Sequence, residues 1–432
     1  MTDHRARTAA LVVLAVLVAA ILVIAIVGTP WRTLPPVPGG RTPVDPHADF
    51  TAAEIARENA FHGAVRPPAY LSLLLGLVIT LLLGFTPWGA KLVGALAKPL
   101  GGGWGWQVLL GALAITLIGR LATLPFDLRA ETVLRRYGLS TQTWGSWTLD
   151  RLRATGIGLA ILLVVLYGLY ALVHATPRWW WIPGAALGAL LVVVISFLYP
   201  VLIEPVFNKF TPMPAGELRT SLLDLASRDG VPVEDVLVAD ASRRTTALNA
   251  YVSGLGSTRR IVVYDTTLRE LKPEEIRSIV AHELGHVKHR DVWYGTALGA
   301  LGMAAAVCVL YLLLGSQRLL DRAGVSSLGD ARSLPLVLAL VTVLTTLGGP
   351  VQLLMSRRIE ARADVHALDL TSDPATFIAM QRRLAVANLS DLDPLPLVYG
   401  LFASHPTAPE RIALARDWEK LHRAAVGVAG PR

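Results

Sequence analysis

The string His282-Glu283-Leu284-Gly285-His286 is where chemistry concentrates in this sequence. Residues four apart on a helix lie about 40° from one another around its axis, so both imidazoles reach one metal ion from a single face, with Glu283 beside them. Two imidazoles and an adjoining carboxylate suit metal-assisted hydrolysis, the carboxylate taking a proton from the attacking water. A catalytic zinc binds three protein ligands and keeps a fourth position open, so another donor is required. Glu360, in the run Ser356-Arg357-Arg358-Ile359-Glu360-Ala361-Arg362-Ala363-Asp364, is the expected third ligand. Asp364, one helical turn further on, is expected to accept the remaining ring N–H of His282 and fix its tautomer. A purely structural role for these acids, pairing with Arg357, Arg358 and Arg362, loses weight beside the zinc-type string. His289 would aim about 300° round the helix from His286 and reads as a surface residue. His366 lies on a different helical face from Asp364 and is assigned no role.

Two further stretches admit two readings each. Ser404-His405-Pro406, followed by Pro409-Glu410-Arg411, offers an imidazole and a guanidinium able to stabilise an oxyanion. A capped helix start at Thr407–Glu410 explains the same residues better on composition alone. Asn249-Ala250-Tyr251 fits an ordinary hairpin strand, or a sheet edge to which an extended substrate adds by backbone pairing.

The chain that must position these groups has 432 residues, 53% of them hydrophobic and 17% charged, which excludes both disorder and a soluble globular enzyme. Its single cysteine, Cys308, excludes an intrachain disulfide and a Cys-rich metal site. In so apolar a chain a net charge of +8 points to basic residues that flank membrane spans and face anionic lipid, and nucleic acid is not an expected partner. Seven apolar windows are long enough to cross a bilayer: Ala9–Val27, Ala69–Phe85, Trp106–Leu124, Gly156–Val173, Ile182–Leu202, Trp293–Leu314 and Leu334–Leu354. The first is expected to remain as an uncleaved helix, because nothing like an A-x-A site follows it.

Between the fifth and sixth windows, Ala215–Asp229 has a helical pattern and Val236–Ala241 reads as a strand. The β-prone stretches Asn249–Val252 and Arg260–Tyr264 flank the turn Gly254-Leu255-Gly256-Ser257. Pro273, Glu274 and Glu275 suit the first turn of a helix continuing to about Asp291. Pro30–Pro46 reads as an extended loop. The chain thus divides into five spans over residues 1–203, a catalytic loop domain over 204–292, two spans over 293–355, and a tail over 356–432 that completes the zinc site. Seven spans put the termini on opposite sides of the membrane. Arg129, Arg135, Arg136, Arg151 and Arg153 lie on the side of the polar parts and favour placing those parts in the cytoplasm, although Arg5 and Arg7 argue the other way.

Taken together, the motifs resemble the CAAX prenyl protease type 1 family of integral-membrane zinc endopeptidases, of the HExxH gluzincin type. Besides His282–His286 and Glu360–Asp364, the resemblance rests on Leu124-Pro125-Phe126, Thr143-Trp144-Gly145, Glu204-Pro205 and Asn208-Lys209-Phe210-Thr211-Pro212. Asn249-Ala250-Tyr251, Ser404-His405-Pro406 and Arg411-Ile412 complete it. It implies an α-helical membrane protein whose seven helices enclose a water-filled chamber, with a small α+β zincin-like catalytic domain. It implies one Zn2+ per chain on His282, His286 and Glu360, with Glu283 as general base. It further implies that Asn249, Ala250 and Tyr251 bind substrate on an edge strand and that His405 and Arg411 line the cleft. Where eukaryotic members carry a His-Ser pair before Asn-Ala-Tyr, this chain has Ala247 and Leu248.

The expected substrate is a peptide or protein with a prenylated C-terminal CaaX sequence. The rival within the enzyme class is membrane-protein quality control with no prenyl requirement. A non-catalytic scaffold with structural zinc is disfavoured, because such a site closes its fourth position with another protein ligand. A monomer in a bacterial-type plasma membrane is expected, the end Ala429-Gly430-Pro431-Arg432 carrying no retrieval signal for an internal membrane.

Overall fold

The computed structural model describes residues 4–254 and 256–428. Leu255 of the expected turn and the end at Ala429–Arg432 lie outside the described residues. Among those described, seven helices are long and apolar enough to cross a membrane. The first five are α1 (His4–Gly28), α2 (Ala52–Phe85), α3 (Trp104–Arg136), α4 (Trp144–Ala175) and α5 (Trp181–Leu198), the last continuing through a π-helical turn at Tyr199–Ile203 to Phe207. Each expected apolar window lies within one of the seven. Several helices extend well beyond the window because their polar ends are locally capped. In α2, Thr51 Oγ1 accepts the Glu54 N–H and the Glu54 carboxylate accepts the Thr51 N–H, satisfying donors that the helix start would leave unpaired.

The fifth span is followed by β1 (Phe210–Pro212), α6 (Glu217–Arg228), β2 (Asp235–Ala239), β3 (Ala250–Ser253) and β4 (Arg260–Tyr264). The strands form one sheet in the order β1-β2-β4-β3. The expected hairpin is the antiparallel β3–β4 pair, in which Tyr251 faces Val262. The expected lone strand becomes β2, which pairs in parallel with β4 and antiparallel with β1. Parallel pairing joins segments distant in sequence, which no local pattern encodes.

Next come α7 (Pro273–Lys288) and the sixth span α8 (Asp291–Leu314), then α9 (Leu334–Thr371), which leaves the membrane and carries the run from Ser356 to Asp364. The tail adds α10 (Pro374–Asn388), the short α11 (Pro396–Phe402) and α12 (Ala408–Val428). α7 was expected to continue to about Asp291. It stops at Lys288, because Arg290 adopts a left-handed φ of 58° that ends one helix and lets Asp291 begin the next.

The large loop and the tail share one core. Leu225 of α6, Ile261 of β4, Ile276 and Leu284 of α7, Leu368 of α9 and Phe377 of α10 are buried together within it. The His282–His286 string is therefore held by chain segments from both sides of the last two spans. The bundle has buried clusters of its own and adds close backbone approach. A side chain at Gly84 of α2 would meet the Cβ of Ala339 and the carbonyl of Pro335 on α9, so only glycine permits that contact.

Candidate metal centre

α7 starts where the sequence places Pro273 in its first turn, and the Lys272 N–H donates to the Glu275 carboxylate at 2.9 Å. Its inner face carries His282, which is 6% exposed, and the flanking Ala281 and Leu284 fix its rotation in the core. Gly285 has a packing reason: a Cβ there would lie 3.1 Å from the ring of His366 on α9. His366 in turn is held by Asp229 at 3.1 Å, a structural part that the sequence did not reveal.

The Nε2 atoms of His282 and His286 lie 3.2 Å apart. Ligating atoms of His282, Glu283 and His286 all fall within 4.8 Å of one another. α9 brings in Glu360, whose Oε2 lies 3.3 Å from His282 Nε2 and whose Oε1 lies 3.6 Å from His286 Nε2. Each histidine is held from behind: His282 Nδ1 lies 2.9 Å from Asp364 Oδ1, and His286 Nδ1 lies 2.9 Å from Asp291 Oδ2. An Nδ1–H donating to each carboxylate leaves both Nε2 lone pairs facing Glu360. Glu360 Oε2 is buried with no hydrogen-bond partner among the described residues. Two imidazole nitrogens converging with a buried carboxylate suit a cation, so the donor set fits a metal ion.

The electrostatics fit as well. Burial disfavours a charged imidazole at His282, but the Asp364 and Glu360 carboxylates outweigh it and raise the pKa to about 10. The same two carboxylates that favour a proton on His282 would favour a metal cation beside it. Desolvation raises the pKa of Glu283, while His282 and His286 act against that rise. A carboxylate with raised pKa is a better proton acceptor and returns the proton more readily near neutral pH.

Arg411 of α12 donates from Nε to Asp364 Oδ2 at 2.8 Å, and its Nη2 lies 3.2 Å from His282 Nδ1. His405 Nε2 is 3.5 Å from Glu360 Oε2, on the open side. The capped helix start is present too, with the Thr407 N–H donating to Glu410 at 2.7 Å and the Glu410 N–H to Thr407 Oγ1 at 3.3 Å. Asn249, His405 and Arg411 line one cavity of about 540 Å³, together with Tyr70 and Arg66 of α2. Ala250 is 1% exposed and packs in the shared core. Tyr251 reaches Glu204 with its hydroxyl at 3.4 Å. β3, which carries Ala250 and Tyr251, is an edge strand.

Asp291 is the residue of this centre that sequence reasoning missed. It is also bonded by Arg362, so one carboxylate ties α8 and α9 to His286. The only signal was an acid five residues after His286, masked by treating it as the tail of the same helix.

Comparison with known proteins agrees with this geometry. Residues 212–419 match Peptidase family M48, and residues 68–209 match the CAAX prenyl protease N-terminal region described as five membrane helices. The chain is 34% identical to the uncharacterized metalloprotease YhfN of Bacillus subtilis, over 71% of this chain and 72% of that one. It is 31% identical to the CAAX prenyl protease 1 homolog of Arabidopsis thaliana, over 77% and 79% of the two chains. The crystal structure of S. mikatae Ste24p superposes with a TM-score of 0.76 at 22% identity, covering 94% of this chain and 98% of that one, and so shares its fold. With residues 68–209 and 212–419 both matched and the His282–His286 string inside the second stretch, this protein belongs to peptidase family M48, as a membrane-embedded metalloprotease related to CAAX prenyl protease 1.

Proposed function

We propose that the protein is a zinc endopeptidase that cleaves the C-terminal residues of prenylated CaaX peptides or proteins, with His282, His286 and Glu360 as metal ligands. The observation that carries the metal assignment is the 3.2 Å separation of the two Nε2 atoms against a buried, unpaired Glu360 oxygen. Two nitrogens bonded to one tetrahedral zinc at about 2.0–2.1 Å are about 3.3 Å apart, which supports zinc. Zinc held there supplies Lewis-acid polarisation of a peptide carbonyl and acidifies water. Glu283 accepts the proton of the attacking water and delivers it to the leaving amine, its raised pKa suiting both steps. Asp364 and Asp291 hold the two rings in the tautomer that points Nε2 inward. Arg411 compensates the charge of Asp364, and His405 stands beside Glu360 on the cavity side, where a carbonyl oxygen gaining charge can be stabilised.

Asn249, on the cavity wall, and Ala250 and Tyr251, on the edge strand β3, mark the side along which an extended peptide would lie. The working unit combines residues 204–292 with the tail 356–432, on the five spans of 1–203 and the two of 293–355. A monomer in a bacterial plasma membrane, with this centre facing the cytoplasm, agrees with the basic residues on that side.

The prenyl requirement follows the names of the relatives. Ala247 and Leu248, standing where eukaryotic relatives carry His-Ser, favour as a second reading a quality-control protease without it. The deciding experiment compares cleavage of a farnesylated CaaX peptide and its unprenylated twin by the zinc-loaded protein, with Glu283→Gln as control. Cleavage of the farnesylated peptide alone, lost in the variant, is the expected result. Equal cleavage of both, or cleavage only of an unfolded membrane protein, would transfer the assignment to quality control.

A further inference from the structure

Behind the metal centre, on the far side of Asp364 and Arg411, lies a second cavity of about 300 Å³. It is walled by the loop after α1, by α9 where it leaves the apolar stretch at Leu354, and by α12. Three acids border it, and all are committed. Asp364 holds His282 and Arg411, Asp417 accepts the Thr42 N–H at 2.7 Å and the Thr42 hydroxyl at 2.6 Å, and Glu410 caps its own helix. Two of the four arginines are committed as well: Arg411 to Asp364, and Arg357 to the Tyr399 carbonyl at 3.2 Å and to the Tyr399 ring at 4.6 Å. The remaining two, Arg41 and Arg358, are exposed and have no hydrogen bond or salt bridge among the described residues.

The level of this cavity relative to the bilayer follows from its neighbours. Trp31, 44% exposed, donates its indole N–H to the Ile26 carbonyl at 3.0 Å and marks the end of the first span. Leu354, 39% exposed, marks the end of the seventh, and Arg358 follows one helical turn later. The cavity mouth therefore has an apolar floor toward the hydrocarbon and two uncompensated guanidinium groups above it. Guanidinium forks match phosphate oxygens, and basic pockets beside spanning helices hold anionic head groups.

We propose that Arg41 and Arg358 form a phosphate-binding site for the head group of an anionic phospholipid, seated behind the residues that orient His282. Its ligand shares phosphate chemistry with soluble phosphate, but the apolar floor at Leu354 favours the lipid. The site is independent of the metal, and its test does not depend on catalysis. The full-length protein is incubated with phosphatidylglycerol and phosphatidylcholine of identical acyl chains, and retained lipid is counted by native mass spectrometry. A parallel arm measures binding of inorganic phosphate. Wild-type protein is expected to prefer phosphatidylglycerol, with a loss of about five-fold for Arg41→Gln or Arg358→Gln and about thirty-fold for the pair. Lysine at both positions should restore most of the preference, because the charge is kept. Equal retention of phosphatidylglycerol by wild type and the double variant overturns the site. Arginine-dependent binding of inorganic phosphate without any preference between the two lipids overturns the lipid as its occupant.

Discussion

α5 and α7 are both helices in one chain, yet they are stabilised by different environments. None of the most apolar 18-residue window of the span that begins with α5 is buried within the protein, whereas nine of the 16 residues of α7 are. α5 is apolar because lipid surrounds it, and its sequence needs only length and hydrophobicity. α7 is amphipathic because one face must join a water-excluded core while the other presents His286 and Glu283 to a cleft. Metal chemistry belongs on the second kind of helix, since an imidazole is aimed only when packing fixes the rotation of its helix and a carboxylate fixes its ring.

The strongest test of that contrast is at the reacting face. Glu283→Gln should lower peptide cleavage by about 10²–10⁴-fold, with metal content by elemental analysis unchanged. Full activity in that variant would remove Glu283 from the proton path. Behind the face, Ile276→Ala should cost about 2–5 kcal/mol in thermal or denaturant unfolding, because Ile276 is 1% exposed in the shared core. Asp291→Ala should weaken metal binding about 10–100-fold in competition with a chromogenic chelator, since His286 would lose the acceptor that fixes its tautomer.

Proton linkage sharpens the same contrast. The Asp364 and Glu360 carboxylates raise the pKa of His282 to about 10, so metal binding at neutral pH should displace a proton from it. Apparent metal affinity should rise with pH through the neutral range, and calorimetry in buffers of different ionisation enthalpy should register about one proton released per metal. No proton release would mean that His282 is neutral before metal arrives. The smallest effect is expected in the other region: Leu190→Ala, at a position 55% exposed within the protein, should change stability by no more than about 0.5 kcal/mol. A loss there equal to that of Ile276→Ala would break the comparison and reveal a partner covering α5.

Much of this molecule is written locally. The seven spans follow from uninterrupted apolar length, because a bilayer imposes the same demand on every crossing segment. His282, Glu283 and His286 are legible because one helical turn sets their spacing, and Glu360 and Asp364 because they repeat that spacing. The hairpin of β3 and β4 is legible from alternation around a glycine-bearing turn. Only the tertiary structure decided that Asp291, beyond a left-handed break at Arg290, turns back onto His286, since the backbone conformation of one non-glycine residue is not encoded by periodicity. It alone decided that β2 and β4 run parallel, that Arg411 lies against Asp364 from 47 residues away, and that Arg41 and Arg358 share a cavity. Spacing within an element is fixed by helix and strand geometry. Contact between elements is fixed by which surfaces bury together, and that depends on the whole chain at once.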